Sequence, residues 1–220
     1  LLRLFIVMVV SAVLYLIFVN TRYSSLESLK GQEKIAINFQ HLPEMILSSK
    51  EAYTGYQYEL VTGYLNSFNK FEISVNESVF DIGIYYSAEV CDNCLSIGTE
   101  DLLLITNDTS PGVQDIEILK SFVNAKIKNV MNDYDINIYG SSIDELINDI
   151  QNNLISNTIL TRSTYLFYKK YFPNLKIKKK IGTTNLIWSF PNDDGTIKND
   201  VVNYLALEST KDFILDLRQK

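Results

Sequence analysis

Arg162 stands where the apolar run NTILT gives way to RSTYLFYKKYF. In an open α/β sheet the carboxyl end of a strand, together with the unpaired N–H groups of the helix that follows, is a natural seat for an anion. An arginine at such a junction is either an anion clamp or an ordinary solvated charge at an element boundary. Ser110 and Gly112, in NDTSPGVQD, offer a hydroxyl and a backbone N–H to the same anion if a helix begins near Asp115; a plain turn is the alternative reading. Cys91 and Cys94 form the motif CDNC. A single C-x-x-C cannot complete a four-ligand zinc site, and the one histidine, His41, is far away in the chain, so no metal and no cofactor is expected. Outside the cytoplasm the pair favours a local disulfide that pins its loop, and the motif does not open a thioredoxin-like helix.

The elements that must position these residues follow from periodicity. KIAINF at 34–39, FEISV at 71–75 and FDIGIYY at 80–86 read as strands, short and rich in β-branched or aromatic residues. Between them GYQYELVTGYLNSF at 55–68 carries Tyr56, Leu60, Tyr64, Leu65 and Phe68 at helical spacing. Residues 76–79 are too few for a parallel crossover, so the strands on either side form a hairpin, or a connecting helix has been lost. DLLLIT at 101–106 is a further strand. Ile116, Leu119, Val123, Ile127, Val130 and Tyr134 then predict one long helix. DINIYG, NTILT, LKIKKKI and TNLIWSF read as strands, and 142–153, 163–172, 196–206 and 210–218 as helices, the first capped by Ser142. Alternation of strand and helix over 101–181 argues for a parallel, doubly wound sheet. The strand at 184–190 has no slot in it, so the chain is expected to cross back to its first half.

Composition narrows the partners. The chain of 220 residues carries a formal net charge of −6. Nucleic acid is not an expected partner, because phosphate backbones reward clustered Lys and Arg and no recognition motif is present. The one basic run, KIKKK at 176–180, reads as a strand edge guarded by lysines. Residues 1–20 are almost wholly apolar and carry one charge, Arg3. They read as a transmembrane anchor or signal segment, with an uncleaved anchor favoured, and 21–32 as a tether. Trp188 is expected in the core and His41 on a surface loop.

Several stretches together resemble the type 2 periplasmic solute-binding proteins: GYQYELVTGYLNSF as the opening helix, FDIGIYYS as the strand leading to the cleft, and LIWSFPNDDGTIKNDVVNYLALESTKDFILDLRQK as the closing strand and helices. Within that group the chain is most similar to the solute-binding-like domains of membrane-bound lytic transglycosylases. The resemblance covers about residues 33–220. It implies an α/β, two-lobed periplasmic-binding-protein-like fold with a reduced first lobe, preceded by an N-terminal transmembrane helix. Lobe 1 would comprise 33–100 plus 184–220 and lobe 2 would comprise 101–183, with lobe closure about 99–101 and 182–184. It also puts Tyr56, Tyr85, Tyr86 and Ser87 on the lobe 1 wall of the cleft, and an acidic group at or beside the position that Arg162 occupies here. The arginine that holds an amino acid's carboxylate in relatives has no counterpart in SAEVCDNC.

The function this implies is a domain anchored in the bacterial inner membrane, with its bulk in the periplasm. It would sense an amino acid, peptide or muropeptide and regulate a cell-wall lytic transglycosylase. Delivery of ligand to an amino-acid uptake system, or a non-binding role as an adaptor for envelope proteins, are the alternatives. No catalytic residue carries over, since the lysozyme-like chemistry of that group belongs to a following domain.

Overall fold

The computed structural model describes residues 24–40, 42, 45, 47–48, 53–68, 71–107, 115–119 and 135–217. The apolar segment 1–20 and His41 lie outside them. Among the described residues no helix is long and apolar enough to cross a membrane.

Among the described residues eight strands form one mixed sheet, in the order β4-β1-β5-β10-β6-β9-β7-β8. Two of them set the architecture: β6 (Cys94–Asn107) and β10 (Leu175–Ser189), 14 and 15 residues long. They run antiparallel along almost their whole length, and each serves both halves of the molecule. The first half is built on β1 (Lys34–Phe39), β4 (Glu72–Val75) and β5 (Ile82–Ser87), with β5 pairing only the Asn185–Ser189 stretch of β10. The second half holds β7 (Ile116–Leu119), β8 (Ile136–Tyr139) and β9 (Asn157–Thr161), with β9 pairing β6 only over residues 102–106. Between these attachments β6 and β10 continue as a ribbon of two strands. LKIKKKI and TNLIWSF are therefore one strand, and the second of them finds its slot beside β5. A separate two-stranded pair, β2 (Leu47–Ser48) with β3 (Tyr53–Thr54), completes the strands among the described residues.

The short link between β4 and β5 has a simple geometry. Both strands run parallel to β1, on opposite sides of it, so they form no hairpin. Val75 and Ile82 both stand level with Ile37, so β5 starts where β4 stops. A parallel crossover is long because the chain must return to the start of its neighbour; here no return is needed. The link instead steps over β1. Asn76, at φ 60°, accepts from Phe39 N–H through its side chain, and Asp81 accepts from Ala36 N–H.

In the second half β7, β8 and β9 are mutually parallel, but β6 is antiparallel to β9. The sheet is thus mixed and not the all-parallel one that the strand–helix alternation predicts. The reason is that β6 arrives from the first half along the ribbon, and not through a helical crossover. The long helix predicted from residue 116 is also corrected, because Ile116–Leu119 is a strand with Ile116 and Ile118 buried at period two. The remainder of that predicted helix lies outside the described residues.

Among the described residues six helices flank the sheet. The tether predicted at 21–32 contains a short helix, α1 (Ser25–Lys30), closed by a capping box between Ser24 and Glu27. Leu29 is buried, and the Ser25 hydroxyl bonds Asp193 and Asp194 at 2.6 Å. Helix α2 (Tyr56–Leu65) buries Gln57, Leu60, Val61, Tyr64 and Leu65. Helix α3 (Ile143–Gln151) is capped by Ser142, whose hydroxyl accepts from Glu145 N–H as the sequence predicts. Helix α4 (Arg162–Lys169) is capped by Thr161. The chain closes with α5 (Thr196–Ala206) and α6 (Glu208–Leu217). Every residue of β9 is buried, as expected for a strand covered on both faces, and Trp188 is fully buried.

Candidate functional site

The ribbon and the elements beside it enclose a cleft of about 520 Å³, inside the range of roughly 300–1,000 Å³ usual for small-molecule sites. Helix α2 contributes Tyr56, Gln57 and Leu60, and Tyr86 of β5 stands with them. Residues 97–100 of β6 and Leu186 of β10 form the floor along the ribbon. Ser163, in the first turn of α4, reaches the cleft from the second half, and Leu205 of α5 and Ile214 of α6 close it from the first.

Local sequence explains why α2 presents Gln57 here. Gly55 precedes the helix at φ 128°, ψ 148°, a conformation open essentially to glycine, and it lets the chain turn directly from β3 into the helix. Gln57 then falls on the stripe shared with Leu60, Val61 and Tyr64, the buried face. Its side chain is 1% exposed. The Oε1 atom accepts from Trp188 Nε1 at 2.9 Å, which fixes the amide's orientation. The Nε2 group, buried beside the cleft, has no hydrogen-bond partner among the described residues. A buried donor without an acceptor costs about 1–3 kcal/mol, so it is a feature that demands a reason.

Glu100 and Asp101 follow one another on β6 and therefore face opposite ways. Glu100 lines the cleft and accepts from the Ser163 hydroxyl at 2.8 Å. Asp101, on the other face, bonds Lys180 at 2.5 Å and Arg162 at 3.1 Å. The Lys180 ammonium, and after it the Arg162 guanidinium, hold the Asp101 carboxyl below the ordinary aspartate range, against the opposing effect of its partial burial.

Of the residues singled out in the sequence, Tyr56 and Tyr86 line the cleft. Tyr85 and Ser87 alternate with Tyr86 along β5 and do not. The Tyr85 hydroxyl sits 3.6 Å from Cys94 Sγ, and Ser87 accepts from Glu89 N–H to shape the turn after the strand. Arg162 is exposed, is paired with Asp101, and is not among the lining residues; its neighbour Ser163 is. Ser110 and Gly112 lie outside the described residues, and the helix start that was to follow them is instead the strand β7. Cys91 and Cys94 are disulfide-bonded. Their loop is tied down by Phe190 N–H to Asn93 O and by Lys198 to Asp92 O. Among the described residues no group of His, Cys, Asp and Glu could hold a metal ion. Sequence reasoning missed Gln57, Glu100 and Ser163. The signal for Gln57 was present: it is the one polar residue on an otherwise apolar helical stripe, and a buried polar group is the informative exception.

Long strands shared by two halves, with a cleft against them, define a known architecture. The chain has the fold of amino-acid transporter substrate-binding proteins. An amino acid ABC transporter substrate-binding protein from Streptococcus pneumoniae, solved bound to L-arginine, superposes with a TM-score of 0.68 at 15% identity, over 89% of this chain and 98% of that one. The protein Tv2483, also bound to L-arginine, superposes with a TM-score of 0.70 at 14% identity, over 88% and 92%. The B. pertussis BvgS periplasmic domain gives 0.68 at 9% identity, over 86% of this chain and 44% of that one. No protein-family profile and no curated protein matches the sequence.

Proposed function

We propose that this chain is a periplasmic small-molecule-binding domain that captures its ligand in the cleft and responds by moving its two halves together about the β6–β10 ribbon. The single observation that carries the reading is Gln57. Its Nε2 is held in place by the Trp188 bond, is removed from water and is left without an acceptor. A ligand atom supplies that acceptor, and the cleft beside it has the volume for a small organic molecule. Ligand contacts made from both halves, at Gln57 and at Ser163, favour the closed arrangement by the free energy those contacts contribute. Two of the structural neighbours hold L-arginine, which supports a ligand of amino-acid size.

The sequence resemblance extends the reading. Residues 1–20 anchor the domain in the bacterial inner membrane, and ligand capture regulates a cell-wall lytic transglycosylase. A second reading, delivery of the ligand to an uptake system, is favoured by the transporter-associated neighbours.

Thermal unfolding of the full chain with amino acids, dipeptides and muropeptides tests the binding reading, since a ligand at 100 times its Kd stabilises by about 2.7 kcal/mol. At least one compound is expected to raise Tm, and Gln57→Leu is expected to weaken the effect. A flat response to the whole panel sinks this reading and favours the adaptor role.

A further inference from the structure

The charge around the cleft deepens the reading just given, on which it rests, by naming the class of ligand. Among the described lining residues there is one ionisable carboxylate, Glu100, and no Lys, Arg or His. The cations nearest in the chain are not available to Glu100. Arg162 is turned to Asp101, with Nε at 3.2 Å and Nη2 at 3.1 Å, and Lys180 meets the same carboxylate at 2.5 Å. Strand alternation puts Asp101 on the face opposite Glu100. The one hydrogen bond that Glu100 receives from the described residues is the neutral Ser163 hydroxyl, which leaves most of the carboxylate's acceptor capacity unused.

A carboxylate beside a partly apolar cleft favours a cation there and opposes an anion. On the other side, Gln57 Nε2 asks for an acceptor but supplies no charge to neutralise one. Tyr56 and Tyr86, also on the wall, suit the hydrocarbon and the face of a cation better than they suit an anion. We infer that the cleft takes an organic cation, an ammonium or guanidinium directed at Glu100, that carries an uncharged hydrogen-bond acceptor for Gln57 Nε2, and that a free carboxylate on the ligand is a handicap. The expected class is therefore cationic amides and related derivatives of the basic amino acids, which keep a neutral carbonyl and lack the acid group.

L-Argininamide and L-arginine make the decisive pair, since they share the guanidinium and differ in that a neutral amide, whose carbonyl can accept from Gln57, replaces the carboxylate; L-glutamate supplies the anionic extreme. Calorimetric titration of the full chain is expected to give L-argininamide binding as tight as L-arginine or tighter, and none with L-glutamate. Glu100→Gln, which keeps the acceptor oxygen for Ser163, is expected to weaken L-argininamide about tenfold or more, the size of a lost charge-assisted contact. Its unliganded Tm reports whether the variant is folded. L-Arginine or L-glutamate binding about tenfold tighter than L-argininamide, or an E100Q affinity equal to wild type, overturns the inference while leaving the binding reading standing. If none of the three compounds binds but another in the thermal panel does, the cation preference fails alone. If nothing in either experiment binds, both fail together.

Discussion

At the residue scale, Arg162 shows how far a local sequence pattern reaches. Its position between a buried strand and a helix is readable from NTILTRSTYL, and the boundary falls there in the structure, with Thr161 as the cap. Its partner is not readable, because Asp101 lies 61 residues earlier and only the β6–β9 pairing brings the two together. Gln57 was legible as an oddity on an apolar stripe, yet its meaning depends on Trp188, 131 residues away. The Asp101 contacts make a pH prediction. Lys180 and then Arg162 lower the folded-state pKa of Asp101 below its unfolded value. The stability this contributes is complete above the unfolded pKa of about 3.9 and is lost as pH falls through the lower folded value. Asp101→Asn is therefore expected to be less resistant to urea than wild type at neutral pH, with the gap narrowing below about pH 4. A gap in urea midpoints that is the same at pH 7 and pH 3 argues that Asp101 contributes through packing and not through its charge.

At the scale of elements, the helices with caps and strong apolar stripes were the legible ones. Ser142 and the apolar positions of α3 announce themselves, and the C-terminal helices fall close to their expected bounds. Misreadings arose where tertiary context decides. Ile116, Ile118 and Leu119 fit a helical series and a strand equally well over four residues, and the parallel neighbours β8 and β9 settled the matter. The chain order of strands could not reveal that β4 and β5 lie on opposite sides of β1 in a staggered register. The basic run KIKKK was legible as a strand. From Leu175 to Thr184 β10 pairs with β6 on one side and has no third strand on the other among the described residues, and 176–180 are all exposed. Register shifts between Ile177 and Lys179 and between Lys180 and Gly182 add irregularity to that edge. Charges and bulges on an edge discourage a second chain from adding a strand. The triple substitution K176T/K178T/K179T is expected to leave the fold in place and to promote self-association at tens of micromolar. Light scattering that stays monodisperse would show that the lysines are not what protects this edge.

At the scale of the whole molecule, protection from solvent should be uneven in a specific way. Residues 102–106 of β6 have β10 on one side and β9 on the other, and residues 185–189 of β10 lie between β5 and β6. The stretch where Thr99, Glu100 and Asp101 face Asn185, Thr184 and Thr183 has mostly two strands alone. Local opening is least costly where a backbone has fewest neighbours. Amide hydrogen exchange is expected to be faster in β6 around 98–101 and in β10 around 182–184 than in the doubly flanked residues 102–106 and 185–189 of the same strands, by about tenfold or more. Uniform protection along both would mean that the ribbon is not a point of bending.

The docking of α1 adds a mechanical asymmetry. Ser25 grips Asp193 and Asp194, and Thr196 takes the Leu26 N–H, so the start of the described chain is fastened to the same half that holds α5. Any pull or fixed attachment applied ahead of Ser24 is therefore delivered to that half alone. In the closure proposed above, the part carrying α4 and Ser163 would be the swinging member, like a jaw whose opposite number is bolted to the bench.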